Sequence, residues 1–180
     1  LVAVGPLTNI AQLLLVYPHL KEKIEEIVVM GGGLRNGNTT PAAEFNFYVD
    51  PEAAKIVFDS QLPLTMAGLD VTEKCLLYKD DIEKLKNTSF VAHELANMSE
   101  SGKKVHGIRN VYTALHDLVA VMYCVQPELF EIETYHVDVV VEEGLARGMT
   151  IADRRMVPKL KPNTNVILDV NREGFVEETL

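Results

Sequence analysis

What this chain lacks narrows what it can be. Basic residues are few, 17 Lys and Arg against 26 Asp and Glu, for a net charge of −9. No basic stripe appears, which argues against a nucleic-acid backbone as partner. No apolar run approaches the roughly 20 residues of a membrane-spanning helix. No signal peptide is visible either, and the cytoplasmic location expected here rests on the cysteines. Cysteine is scarce: Cys75 and Cys124 stand alone without CxxC spacing. They read as two buried thiols in a reducing compartment, not as a disulfide. Internal repeats, low-complexity tracts and interdomain linkers are missing, so one domain is expected. Three signatures of chemistry are missing too. After Gly31 and Gly33 the third position of a dinucleotide fingerprint is Asn36, and a polar loop follows where a helix should begin. There is no GK[ST] phosphate loop and no GxSxG elbow, which leaves serine hydrolase chemistry without support.

What is present reads as an ordinary globular core: 47% hydrophobic and 24% charged residues over 180 positions. Short apolar runs alternate with helical patterns. Strands are expected over 1–4, 27–30, 62–68 and 165–170, and helices over 7–16, 50–59, 80–86, 90–98 and 172–180. Residues 135–141 and 145–153, joined by the turn Glu142-Glu143-Gly144, read as a hairpin. Residues 99–110 are polar and glycine-containing, the pattern of a mobile loop, and 111–125 read as one helix with His116 and Asp117 near its middle. Strand–helix alternation of this kind predicts an α/β fold, an open and mostly parallel sheet flanked by helices, with an antiparallel hairpin near the C-terminus.

One stretch organises the rest. The β-branched run Ile27 to Met30 leads into Gly31-Gly32-Gly33, where the backbone can turn sharply. A polar loop with Asn36, Asn38, Thr39 and Thr40 follows, then Ala43-Glu44-Phe45-Asn46. Asp50-Pro51 then starts a helix, with Asp as N-cap and Pro in the first turn. Strand, glycine turn, polar loop and helix start are how an open α/β sheet builds a ligand crevice. Glu44 and Asn46 flank Phe45, so an extended segment would point both the same way. Carboxylate and amide groups together suit sugar hydroxyls, which donate and accept. His116-Asp117, amid apolar neighbours, is an expensive pair to bury unless something partners it.

These residues carry a resemblance. MGGG at 30–33, GN at 37–38, AEFN at 43–46 and DPEAA at 50–54, in that order, resemble the inosine–uridine-type nucleoside hydrolases. GPLTNIA at 5–11, TMAGLDVT at 65–72, LHD at 115–117 and GMTIAD at 148–153 agree, so the resemblance runs from Val4 to about Asp169. It implies hydrolysis of the N-glycosidic bond of ribonucleosides to ribose and free base, in purine or pyrimidine salvage. It implies that Asn38, Glu44 and Asn46 hold the ribose, Asn38 with a catalytic share, and that Met30 lines the pocket. His116 would assist departure of the base. Calcium is the implied cofactor, a hard ion that takes oxygen ligands. Asp117 and the backbone carbonyl of Val4 would be two of its ligands. The resemblance also implies a homo-oligomer, dimer or tetramer. The first residues already read as strand, so the chain is expected to be the C-terminal part of a larger domain whose N-terminal aspartates complete the metal site. A nucleoside- or ribose-binding protein without catalysis, or an inactive fragment, stays open.

Overall fold

The structure, a computed structural model, describes residues 1–106, 111–157 and 160–179, and their side chains except those of 99–106 and 111–113. The elements run β1 (Val2–Ala3), α1 (Thr8–Val16), β2 (Ile27–Met30), α2 (Phe45–Val49), α3 (Pro51–Phe58), β3 (Leu64–Ala67) and α4 (Leu69–Thr72). There follow β4 (Leu76–Tyr78), α5 (Lys79–Leu85), α6 (Phe90–His106), β5 (Val111–Ala114) and α7 (His116–Val125). The chain continues with β6 (Phe130–Tyr135), β7 (Val137–Val139), β8 (Thr150–Ala152), β9 (Thr164–Val170) and α8 (Arg172–Thr179). The main sheet has the order β1-β2-β3-β9-β6. Its first four strands are parallel, and β6 closes the edge antiparallel to β9.

The sequence dictates why this sheet is covered on both faces. Successive side chains of a strand point to opposite sides. Val28, Met30, Ala67 and Ile167 accordingly join one core, with Val119, Ala120 and Met122 of α7 and Phe175 of α8. Ile27, Val29, Leu64, Met66 and Val166 join the other, with Ala11 and Leu14 of α1 and Ala54, Val57 and Phe58 of α3. All four residues of β2 and of β3 are buried, as a parallel strand sandwiched between helices requires.

The expected N-cap is present. Asp50 accepts from the backbone N–H of Ala53 at 3.0 Å, with Pro51 opening α3. Its other oxygen accepts from the Thr8 hydroxyl at 2.5 Å, which ties α3 to the start of α1. Lys55 reaches Asp138 at 2.7 Å and fastens the same helix to β7.

Three expectations need correction, and a strand was not foreseen. Residues 111–125 are not one helix: 111–114 form β5, paired antiparallel with β4, and α7 begins at His116. The Leu115 N–H donates to the Cys75 carbonyl at 2.9 Å, extending that ladder and holding Leu115 out of helical geometry. The expected loop over 99–110 is helical through His106, and 107–110 lie outside the described residues. Phe130–Tyr135 is an unforeseen strand, because its buried–exposed pattern is that of a polar edge and not of a core strand. Of the two thiols only Cys75 is buried, and burial pushes its pKa up to about 12; Cys124 is exposed, and both are free. The hairpin is present as β7 against β8, in a small sheet of its own.

Because Asp50 serves two partners, Asp50→Ala should destabilise the fold by about 1–2 kcal/mol, the range for a lost helix cap. Urea denaturation should show a lower midpoint with an unchanged slope. Adding Thr8→Ala should then cost little more, since both substitutions remove the same bond.

Candidate active site

The parallel strands end together at their carboxyl side. Val4-Gly5 follows β1, Gly31 to Gly33 follow β2, and Gly68 follows β3. The Gly31 N–H donates to Ala67 O at 3.2 Å and closes the end of the β2–β3 ladder. Gly32 then takes φ +70°, a left-handed conformation in which side-chain-bearing residues are disfavoured. A Cβ on Gly31 would fall 2.3 Å from a ring carbon of Phe47, so the turn is pressed against α2. On its far side Thr150 of β8 clasps Gly33 twice, accepting from its N–H at 3.0 Å and donating to its carbonyl at 2.6 Å.

Glu44 is the anchor of this turn. It is only 3% exposed, yet three backbone N–H groups meet its carboxylate: Gly32 at 3.0 Å, Asn46 at 3.0 Å and Phe47 at 3.4 Å. It is the N-cap of α2, so Glu44 and Asn46 are not in an extended segment as expected. They still share one side, because capping folds the Glu44 side chain back over the first turn. Asn46, also buried, donates to the Met30 carbonyl at 3.0 Å and contacts the Met30 sulfur at 3.4 Å. Asn38 is exposed, and its Oδ1 accepts from the Phe45 N–H at 2.9 Å. Among the described residues Asn38 Nδ2 and Asn46 Oδ1 hold no hydrogen bond, so one donor and one acceptor stay available.

His116 begins α7, which packs against β1, β2, β3 and α4. It is half-buried, with Nδ1 2.8 Å from the Thr72 hydroxyl. Through Thr72 it is tied to α4, which hangs from the glycine turn by the Leu69 N–H to Gly32 carbonyl bond. Asp117, read from the sequence as a buried carboxylate, is exposed in the first turn of α7. The reason is the corrected helix start: Asp117 stands at a helix end, not within an apolar helix.

Comparison with known proteins decides the family. Residues 1–177 match the family model described as inosine-uridine preferring nucleoside hydrolase. The chain belongs to that family. It is 42% identical to a pyrimidine-specific ribonucleoside hydrolase RihA of Citrobacter koseri, over 98% of this chain and 58% of that protein. A purine-preferring ribonucleoside hydrolase from Gardnerella vaginalis superposes with a TM-score of 0.85 at 34% identity, over 98% of this chain and 57% of that one. An inosine-guanosine nucleoside hydrolase gives 0.88 at 28% identity, over 98% and 58%. The chain therefore spans under three fifths of the length of the relatives it matches.

The structure thus brings Met30, Asn38, Glu44 and Asn46 of this nucleoside hydrolase chain together around the glycine turn, with His116 tied to the same turn through Thr72 and α4. Two structural residues escaped the sequence reading, Thr72 and Thr150. Thr72 had one legible signal, its place just past the carboxyl end of a strand; Thr150 had none, since its role depends on β8 reaching the turn. Metal ligation is another matter. Calcium takes six to eight oxygens, whereas Asp117 and the Val4 carbonyl offer two. Among the described residues no three His, Cys, Asp or Glu side chains group closely enough to hold a metal ion. The donors among the described residues do not by themselves make a calcium site. A cavity of about 650 Å³, lined by Pro63, His136 and Asn163 among others, lies at the opposite, amino ends of the strands and contains no candidate residue.

Burial raises the Glu44 pKa above its ordinary 4.5, against the N–H groups of Asn46, Gly32 and Phe47 and the charge of His116, which all lower it. An acid raised in this way holds its proton more tightly folded than unfolded. Its contribution to stability is therefore full below the unfolded value and is lost as pH rises through the folded one. Glu44→Gln removes that titration. Urea midpoints of the wild type should fall more steeply than those of Glu44→Gln as pH rises above 4.5. Parallel profiles would contradict the assignment.

Proposed function

We propose that the protein hydrolyses the N-glycosidic bond of ribonucleosides, releasing ribose and free base. The observation that carries this reading is the convergence of Glu44, Asn46 and Asn38 on one glycine turn, to which His116 is joined through Thr72 and α4. The names of the relatives support it, and they divide between purine and pyrimidine nucleosides, so the base is left unassigned.

Ribose offers hydroxyls that donate and accept. The free amide atoms of Asn38 and Asn46 and the Glu44 carboxylate match that need, with Met30 beside them. Their positions are set by backbone bonds before substrate arrives, which is the condition for stabilising a transition state and not merely a bound sugar. As the C1′–N bond breaks, its electron pair stays with the base and positive charge grows on the ring, the oxocarbenium character of glycoside cleavage. A buried carboxylate beside the ring stabilises that charge. Water then bonds to C1′ and gives up a proton, while the departing base gains one. His116 is the group placed to donate it.

In this reading, the calcium implied by the family would supply the ribose chelation and the activated water. Asp117 and the Val4 backbone carbonyl would be two of its ligands. On the same reading the protein acts in nucleoside salvage in the cytoplasm, as a dimer or tetramer.

The test is substrate-dependent. A nucleobase leaves poorly as an anion, whereas p-nitrophenolate needs no proton. His116→Ala in the complete protein should slow inosine or uridine hydrolysis by roughly 10²–10⁴, the range for general acid catalysis. Hydrolysis of p-nitrophenyl riboside should be spared. Equal slowing of both would remove His116 from the leaving group.

A further inference from the structure

Thr72 is the last residue of α4 and is wholly buried. Its hydroxyl lies 2.8 Å from His116 Nδ1, and among the described residues neither atom has another side-chain partner, while Nε2 has none. A hydroxyl has one proton to donate, and leaving it unmet in a buried place is costly. Nδ1 is the acceptor within reach. Thr72 is itself held firmly. Its N–H donates to Gly68 O at 3.1 Å, and α4 hangs from the glycine turn through the Leu69 N–H to Gly32 O bond at 2.9 Å. Asp70 adds a second tie by accepting from the Leu34 N–H at 2.6 Å.

We propose that Thr72 is a positioning residue that donates to His116 Nδ1, fixing the ring's orientation and its tautomer so that Nε2 carries the proton offered to the leaving base. The proposal rests on the assignment of His116 to the leaving group. The two ring nitrogens are not equivalent, and the partner of one decides what the other can do. A hydroxyl also accepts, so the same contact survives when Nδ1 is itself protonated. The proton is transferred from the protonated ring, in which Nδ1–H donates to the Thr72 hydroxyl oxygen: the Nε2–H bond breaks, a new one forms on the base, the C1′–N pair remains with the base, and the ring is left neutral.

Imidazole ¹⁵N shifts of His116, read at alkaline pH in the labelled complete protein, report the tautomer directly. The wild type and Thr72→Ser should show Nε2–H, whereas Thr72→Val, nearly the same shape, should show a mixture. In turnover, Thr72→Val should slow natural nucleosides roughly 10–100-fold, the scale known for losing the hydrogen-bond partner of a metal-bound histidine, and spare p-nitrophenyl riboside. Thr72→Ser should recover most of the rate. A dominant Nδ1–H form in the wild type, or an unchanged tautomer in Thr72→Val, would overturn the proposal. If the tautomer behaves as stated while His116→Ala slows both substrates alike, the leaving-group role fails and the positioning of the ring by Thr72 stands.

Discussion

The left-handed turn at Gly32 is the constraint on which the rest depends. Its N–H is held by the Glu44 carboxylate and its carbonyl by the Leu69 N–H, so one residue joins two otherwise separate parts of the site. The first bond fixes α2, with Asn46 and its grip on Met30. The second fixes α4, and through Thr72 the ring of His116. A Cβ at Gly32 would lie 2.9 Å from both Phe47 and Thr150 and would face a backbone angle unsuited to it. Glycine is required there for space and for conformation alike.

The chemistry follows from how that turn is paid out into side chains. A carboxylate buried without partners would be prohibitive. Glu44 is admissible because three N–H groups meet it, and the same bonds hold it in one position. Asn46 and Asn38 use one end of each amide on the protein and keep the other end available. The arrangement is one of polar groups held in place by backbone bonds around one turn.

Much of the fold was legible in the sequence, and the failures have physical causes. Ile27 to Met30, the glycine turn, and Asp50-Pro51 behave as local rules demand, because burial on both faces and capping are short-range effects. The α6 helix beyond Met98 was lost to its polar composition, though a helix needs no continuous apolar face. The break at Leu115 could not be seen, since it depends on a bond to Cys75, forty residues earlier. That one bond moved His116 and Asp117 from the middle of a helix to its start. It also turned a carboxylate read as buried into an exposed one. Glu44 and Asn46 were correctly paired for an incorrect reason: they share a side through capping, not through strand alternation.

The central claim is that this site breaks a glycosidic bond with water and does not merely hold a nucleoside. The direct measurement is the product balance when the complete protein is incubated with inosine or uridine in phosphate-free buffer. The account predicts free base and reducing ribose in equal amounts, rising together with time. Recovery of the nucleoside intact from a saturated protein would contradict it and would identify the site as a binding site alone.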